Sequence, residues 1–252
     1  MGDGAAQPRG GLSRGRDHLR LLPTSEAVVL KPETVEGPRF VDLAPHRRDL
    51  PRTYNDYVWI DRGPDYDPSV ADLHLVLRPL FSLALFLAAH LGTADFEPME
   101  RVVIASKTAL ALAFMLRRAR PGLNLVGLTR AERVAALESL ASYDRVIAYE
   151  DLRSLDGAVP TVFVDVAGDP EIVRRVHERV GATLRASIAV GFTRGMGDGS
   201  GGSENPPLPG PAPALFFTPT HILRFREEWG AGVLRDRLRE AWGAYLTHVA
   251  TM

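Results

Sequence analysis

Cysteine is absent from all 252 residues. That removes disulfides, thiolate zinc sites and cysteine nucleophiles together. An excess of one charge is missing too: 30 Lys and Arg face 31 Asp and Glu, a formal net charge of −1. No basic surface for a nucleic acid is expected from that balance. The start, MGDGAAQPRGGLSRGR, carries arginines but no apolar centre, so it reads as a disordered tail over residues 1–17 rather than a secretory leader. With no cysteine and no leader, a cytoplasmic protein is expected. Long apolar runs are scarce. Leu73–Leu91 has the length of a membrane span, but His74, Arg78, Pro79 and His90 interrupt it, which predicts an amphipathic helix on a sheet and no membrane partner. The seven histidines show no H-x-x-x-H or H-x-E spacing, so no metal site is expected. There is no G-x-S-x-G elbow, no glycine just before Lys107 to make a P-loop, and no G-x-G-x-x-G.

What is present is a regular alternation of strand and helix. Val102–Ser106 reads as a strand, Lys107–Arg118 as a helix and Leu123–Leu128 as a second strand. Such a βαβ unit makes a parallel pair through a right-handed crossover. Thr129 is expected to cap a helix running from Arg130 to Ala141, and strands follow at Arg145–Ala148, Thr161–Asp165 and Leu184–Gly191, with a helix at Pro170–Val180. Five strands alternating with helices predict an α/β fold, a Rossmann-like doubly wound parallel sheet, preceded by a short, incomplete N-terminal β-rich portion. Thr193–Pro213, rich in Gly and Pro, reads as a mobile loop, either a linker or a lid. Leu215–Phe217, a helical stretch to Trp229 and an amphipathic helix from about Val233 to His248 close the chain, with aromatics suited to core or homodimer packing. Before residue 72 the signals are weaker. Leu19–Lys31 reads as one or two short strands, Pro32–Arg52 as turns, and Thr53–Pro68 as an aromatic and acidic loop. That portion has too few strands to bury a core alone.

The ligand edge of such a sheet is where its strands end and its helices begin. Ser106, Lys107 and Thr108 can offer hydroxyls, an ammonium and helix N-terminal amides to a phosphate, or can be a plain helix cap. A carboxylate after the second strand would prefer NAD; this chain has Thr129 and Arg130 there, with Arg133 one turn on. Two guanidiniums suit a ribose 2′-phosphate, so any dinucleotide cofactor is expected to be NADPH; the arginines could equally just solvate a helix start. Asp165 and Gly168 end the fourth strand, and Gly191, Phe192 and Thr193 end the fifth. Gly168 and Gly191 allow close approach of a ligand, and Asp165 either faces it or caps the helix near Pro170. Tyr54, Asn55 and Tyr57 are the candidates for the substrate side, with a loop anchor as the alternative. No catalytic set emerges.

Several segments together resemble an uncharacterised family related to the medium-chain dehydrogenase/reductase superfamily, of the quinone-oxidoreductase sort. They are LRPLF (Leu77–Phe81), SKTALALAF (Ser106–Phe114), GLT (Gly127–Thr129), YDRVIAYEDL (Tyr143–Leu152), VDVAGD (Val164–Asp169), VGFT (Val190–Thr193) and LPGPAPALFFTPTHILRFREEWG (Leu208–Gly230), with TYNDY and PTSEAVVLKP before them. The resemblance implies a cofactor-binding Rossmann domain over residues 72–252, with residues 18–71 as the remnant of a GroES-like catalytic domain. It also implies Tyr149 near the cofactor's 2′-phosphate. The first expectation is therefore an NADPH-dependent, zinc-independent reductase acting on a small conjugated carbonyl or quinone. A non-catalytic Rossmann protein that binds a ligand or partner, and an enzyme using the fold without a dinucleotide, stay open beside it.

Overall fold

The structure, a computed structural model, describes residues 18–19, 29–34, 39–50, 52–59, 69, 71–105, 109–190 and 207–250. It divides into two compact units, Met1–Pro79 and Leu80–Met252.

The first unit holds a sheet of short strands, the expected β-rich portion, and it extends through Pro32–Thr34, Arg39–Asp42 and Asp56–Trp59, where turns and a loop were expected. Strands β1 (His18–Leu19), β2 (Pro32–Thr34), β3 (Arg39–Asp42) and β4 (Asp56–Trp59) pair antiparallel in the order β1-β4-β3-β2. A one-turn helix, α1 (Arg52–Asn55), leads into β4. Such strands are too short and too rich in Pro and Asp to show a period; partners distant in sequence supply their hydrogen bonds. Phe40 and Tyr57 face each other across β3 and β4, both fully buried, their rings stacked at 4.9 Å. Beside them lies a buried polar network. Asp42 Oδ1 accepts from the Lys31 and Ala44 N–H groups at 2.8 and 3.0 Å, and Asp42 Oδ2 lies 3.4 Å from Arg47 Nε. Arg47 in turn donates to Asn55 Oδ1 and to the Tyr54 carbonyl, while Asn55 Nδ2 donates back to the Arg47 carbonyl.

The second unit is built on six parallel strands: β5 (Arg101–Ala105), β6 (Asn124–Thr129), β7 (Arg145–Ala148), β8 (Thr161–Asp165), β9 (Leu184–Ala189) and β10 (Ala214–Leu215). Their order, β10-β9-β8-β5-β6-β7, winds outward from β5 and then again from β8. That is the order 3-2-1-4-5-6 of dinucleotide-binding sheets, with its switch point between β5 and β8. Both central strands are buried along their whole length, as a sheet covered on two faces requires. On one face Val103, Ala105, Val126, Leu128 and Phe163 pack with Ile172, Val176 and Val180 of helix α5 (Pro170–Val180). On the other, Gly127 leaves room for Tyr143: a Cβ there would stand 3.2 Å from the tyrosine ring and 3.3 Å from Leu137.

Helix α2 (Ala71–Leu91) buries Phe81, Phe86 and Leu87, as its amphipathic pattern required. Aromatic pairs join its second half to α6 (Thr218–Trp229) and α7 (Ala231–Ala250): Phe86 with Phe225 at 6.1 Å and Phe81 with Trp242 at 5.2 Å. Phe114 of α3 (Leu110–Ala119) meets Tyr245 at 5.3 Å. Among the described residues no helix is long and apolar enough to cross a membrane.

Two local expectations are corrected. Thr129 is a buried strand residue, not a cap: Arg130 stands at the helix boundary without a side-chain cap bond, a 3-10 turn covers Ala131–Arg133, and helix α4 is only Val134–Glu138. The end of the Gly/Pro-rich segment, residues 207–213, is pinned to the sheet edge. The Pro209 carbonyl can only accept, so His177 Nδ1 donates to it at 2.9 Å and Nε2 accepts from Ser187 Oγ at 2.8 Å. Gly210 has φ +83°, and a Cβ there would lie 2.6 Å from the Gly181 carbonyl oxygen. The Phe216 N–H then bonds the Ala189 carbonyl at 2.9 Å, which aligns β10, a strand the sequence pattern did not reveal. Residues 191–206 lie outside the described residues.

Candidate functional site

The parallel register sets the strand ends level. Ala105 pairs with Leu128 on one side and with Asp165 on the other, while Thr129 pairs with Ala148. The Val166 N–H donates to the Ala105 carbonyl at 3.1 Å and the Val190 N–H to the Asp165 carbonyl at 2.8 Å, so the ends of β5, β8 and β9 are tied together. This edge therefore gathers Thr129, Arg130, Tyr149, Asp165 and Gly168. Ser106, Lys107 and Thr108, which follow Ala105 in the chain, and Gly191, Phe192 and Thr193, which follow Val190, lie outside the described residues.

At β6 the edge is basic. Thr129 is buried, and the Arg130 side chain is 73% exposed, paired among the described residues only with Glu132 at 4.0 Å. Arg133 is also exposed. A loose surface pair of this kind leaves a guanidinium available to an incoming anion. Tyr149 opens the 3-10 segment Tyr149–Ser154 and packs, half-buried, against the core of the α5 face. Burial raises its phenol's pKa, the carboxylates of Asp165 and Asp169 raise it further, Arg130 pulls it down, and Glu150 adds a small rise.

At β8 the edge is acidic and rigid. The buried Asp165 turns Oδ1 back to accept the N–H groups of Ala167 and Gly168 at 3.0 and 2.9 Å. Gly168 closes that turn at φ +67°, a left-handed conformation that favours glycine. Burial pushes the Asp165 carboxyl up, its two N–H bonds pull it back, and Asp169 pushes it up again. The cap of α5 is not Asp165 but Asp169, whose Oδ1 accepts from Glu171 and Ile172 N–H at 2.9 and 3.4 Å, with Pro170 in the first helical position. The signal was Asp169-Pro170-Glu171 itself, a cap followed by the proline and the acid that helix starts prefer.

The substrate-side candidates sit in the first unit. Asn55 is buried and bonded to Arg47 in both directions, Tyr57 is buried under Phe40, and Tyr54 is half-buried with its carbonyl taken by Arg47. Among the described residues no three His, Asp or Glu side chains gather where they could hold a metal ion.

Against solved structures the chain is similar to L-idonate 5-dehydrogenase of Escherichia coli K-12, with 16% identity over 56% of this chain and 42% of that one and a TM-score of 0.41. A short chain alcohol dehydrogenase of Escherichia coli CFT073, solved with NADH, gives 17%, 55%, 43% and 0.41. A Mesorhizobium loti protein described provisionally as an NADPH:quinone reductase gives 12%, 82%, 60% and 0.49. The chain thus spans 42% to 60% of the length of these proteins. No curated protein matches in sequence. A family model does match, over residues 13–252: the chain belongs to the family described as "Protein of unknown function (DUF2855)".

Proposed function

We propose that the chain is an NADPH-dependent, zinc-independent oxidoreductase that transfers hydride to a conjugated carbonyl or quinone. One observation carries the reading: in a sheet of order 3-2-1-4-5-6, the end of the second strand presents Thr129, Arg130 and Arg133 where an NAD site keeps a carboxylate. The residues present fit the group. Two exposed guanidiniums can take a 2′-phosphate bidentately. Tyr149 flanks them, Gly168 lets a ligand approach β8, and Ser106–Thr108 stand next in the chain to β5 for the pyrophosphate. The nicotinamide itself supplies the hydride. The protein's part is to bind, to orient and to polarise the acceptor.

A non-catalytic ligand binder is the second reading, favoured by one fact: the Asp165 Oδ1 atom at the ligand edge is already spent on two backbone N–H groups. Adding enones and quinones to protein and NADPH separates the two. Oxidation of NADPH only when both protein and acceptor are present supports the reductase; tight NADPH binding without turnover on any acceptor leaves the binder.

A further inference from the structure

A cavity of about 200 Å³ opens beside β9 and β10, and none of its lining residues belongs to the nucleotide edge described above. It is lined by His90 near the end of α2, His221 early in α6, Phe96, Phe216 and, at its mouth, the exposed Arg185. The two imidazole centroids are 4.6 Å apart. Phe216 stacks on His221 at 4.0 Å, and Phe96 stands edge-on to His90 at 4.9 Å. The Nδ1 atoms of both histidines are buried with no hydrogen-bond partner among the described residues. Folded proteins rarely leave a buried ring nitrogen unmatched, because its lost hydration is not replaced.

Two histidines this close could suggest a metal ion, but among the described residues no third His, Asp or Glu side chain joins them in a group able to hold one. Burial, then His221, then Arg224 lower the proton affinity of His90 to a pKa of about 4, and Asp95 opposes them least. Burial and Arg224 likewise lower His221. Near neutral pH both rings are uncharged, each with one N–H to donate, and Arg185 adds a cation at the mouth. The volume lies below the roughly 300–1,000 Å³ typical of sites for drug-sized ligands. A single ring bearing one charge is the scale that fits.

We propose that this cavity is a second binding site, for a small aromatic carboxylate. The carboxylate takes N–H groups from His90 and His221 and the guanidinium of Arg185, and the ring lies against Phe96 and Phe216. This assignment is independent of the reductase reading.

Benzoate is the probe, titrated into the full chain by calorimetry, with the imidazole resonances of ¹⁵N-histidine-labelled protein followed in parallel. Saturable binding is expected, with the His90 and His221 resonances moving and the other histidines still. Arg185→Gln is expected to weaken binding about tenfold, the equivalent of about 1.4 kcal/mol. Because Arg185 is exposed, that variant tests the site even where His90→Phe fails to fold. Benzylamine and Zn²⁺ should leave the two resonances in place, and Arg130→Ala should leave benzoate affinity unchanged. Absence of saturation, equal response to benzylamine, Zn²⁺ binding at the two histidines, or unchanged affinity in Arg185→Gln would each overturn the proposal.

Discussion

Asp165 shows how one side chain can serve the backbone at some electrostatic cost. Its Oδ1 satisfies two N–H groups at the end of β8, while burial raises its pKa above the ordinary 3.8. A carboxyl with a raised folded-state pKa contributes stability that is present below the unfolded value and lost as pH rises through the folded one. At neutral pH the ionised form is thus a burden on the fold. Asp165→Asn keeps an oxygen for Ala167 and Gly168 and removes the charge, so urea melts at pH 7 should show stability equal to or above that of the parent. Asp165→Ala should lose about 1–3 kcal/mol in the same melts, since both donors are orphaned. Gly210 is constrained by conformation instead. Gly210→Ala must hold a left-handed φ, which costs about 1–2 kcal/mol, and must also displace the Gly181 carbonyl 2.6 Å away. Its melting temperature should fall, whereas Gly122→Ala, where a Cβ meets nothing within 4 Å, should be near neutral.

At the scale of elements, the return of the chain to the sheet edge depends on a neutral histidine. Burial lowers the pKa of His177 although its bond to the Pro209 carbonyl opposes this, and burial also lowers His90 and His221. Each binds fewer protons folded than unfolded, so each contributes stability that is complete above the unfolded value of 6.5 and is lost as pH falls towards the lowered folded one. The melting temperature should be flat above about pH 7 and decline from about pH 6.5 towards pH 4. His177→Phe should start lower and decline less steeply; an unchanged slope would contradict the assignment.

These elements also show what the sequence could and could not reveal. The strands at Arg145–Ala148 and Thr161–Asp165 and the helix at Pro170–Val180 stand where the sequence placed them, because β-branched runs and a proline at a helix start are local signals. Strand β10 is two exposed residues and has no period to read; only its bond to β9 makes it a strand. Strands β2, β3 and β4 were read as turns and loop because Pro, Asp and Asn suggest turns, while Phe40 stacking on Tyr57 is a contact between distant residues. The basic end of β6 was legible from residue order alone. The Asp165 turn and the His177 bridge were not, since each depends on where the chain returns.

For the molecule as a whole, the six-stranded parallel sheet and its switch point decide where a ligand would bind, and the residues at the strand ends decide which one. The most direct test of the nucleotide reading is a calorimetric titration of the purified chain with NADPH and with NADH, repeated with Arg130→Ala/Arg133→Ala. Charge-assisted bonds to a phosphate contribute about 1.5–3 kcal/mol each. NADPH should therefore bind at least about tenfold more tightly than NADH, and the double variant should lose that preference while NADH affinity stays within about twofold. Equal affinity for both nucleotides, or no binding of either, would contradict the reading.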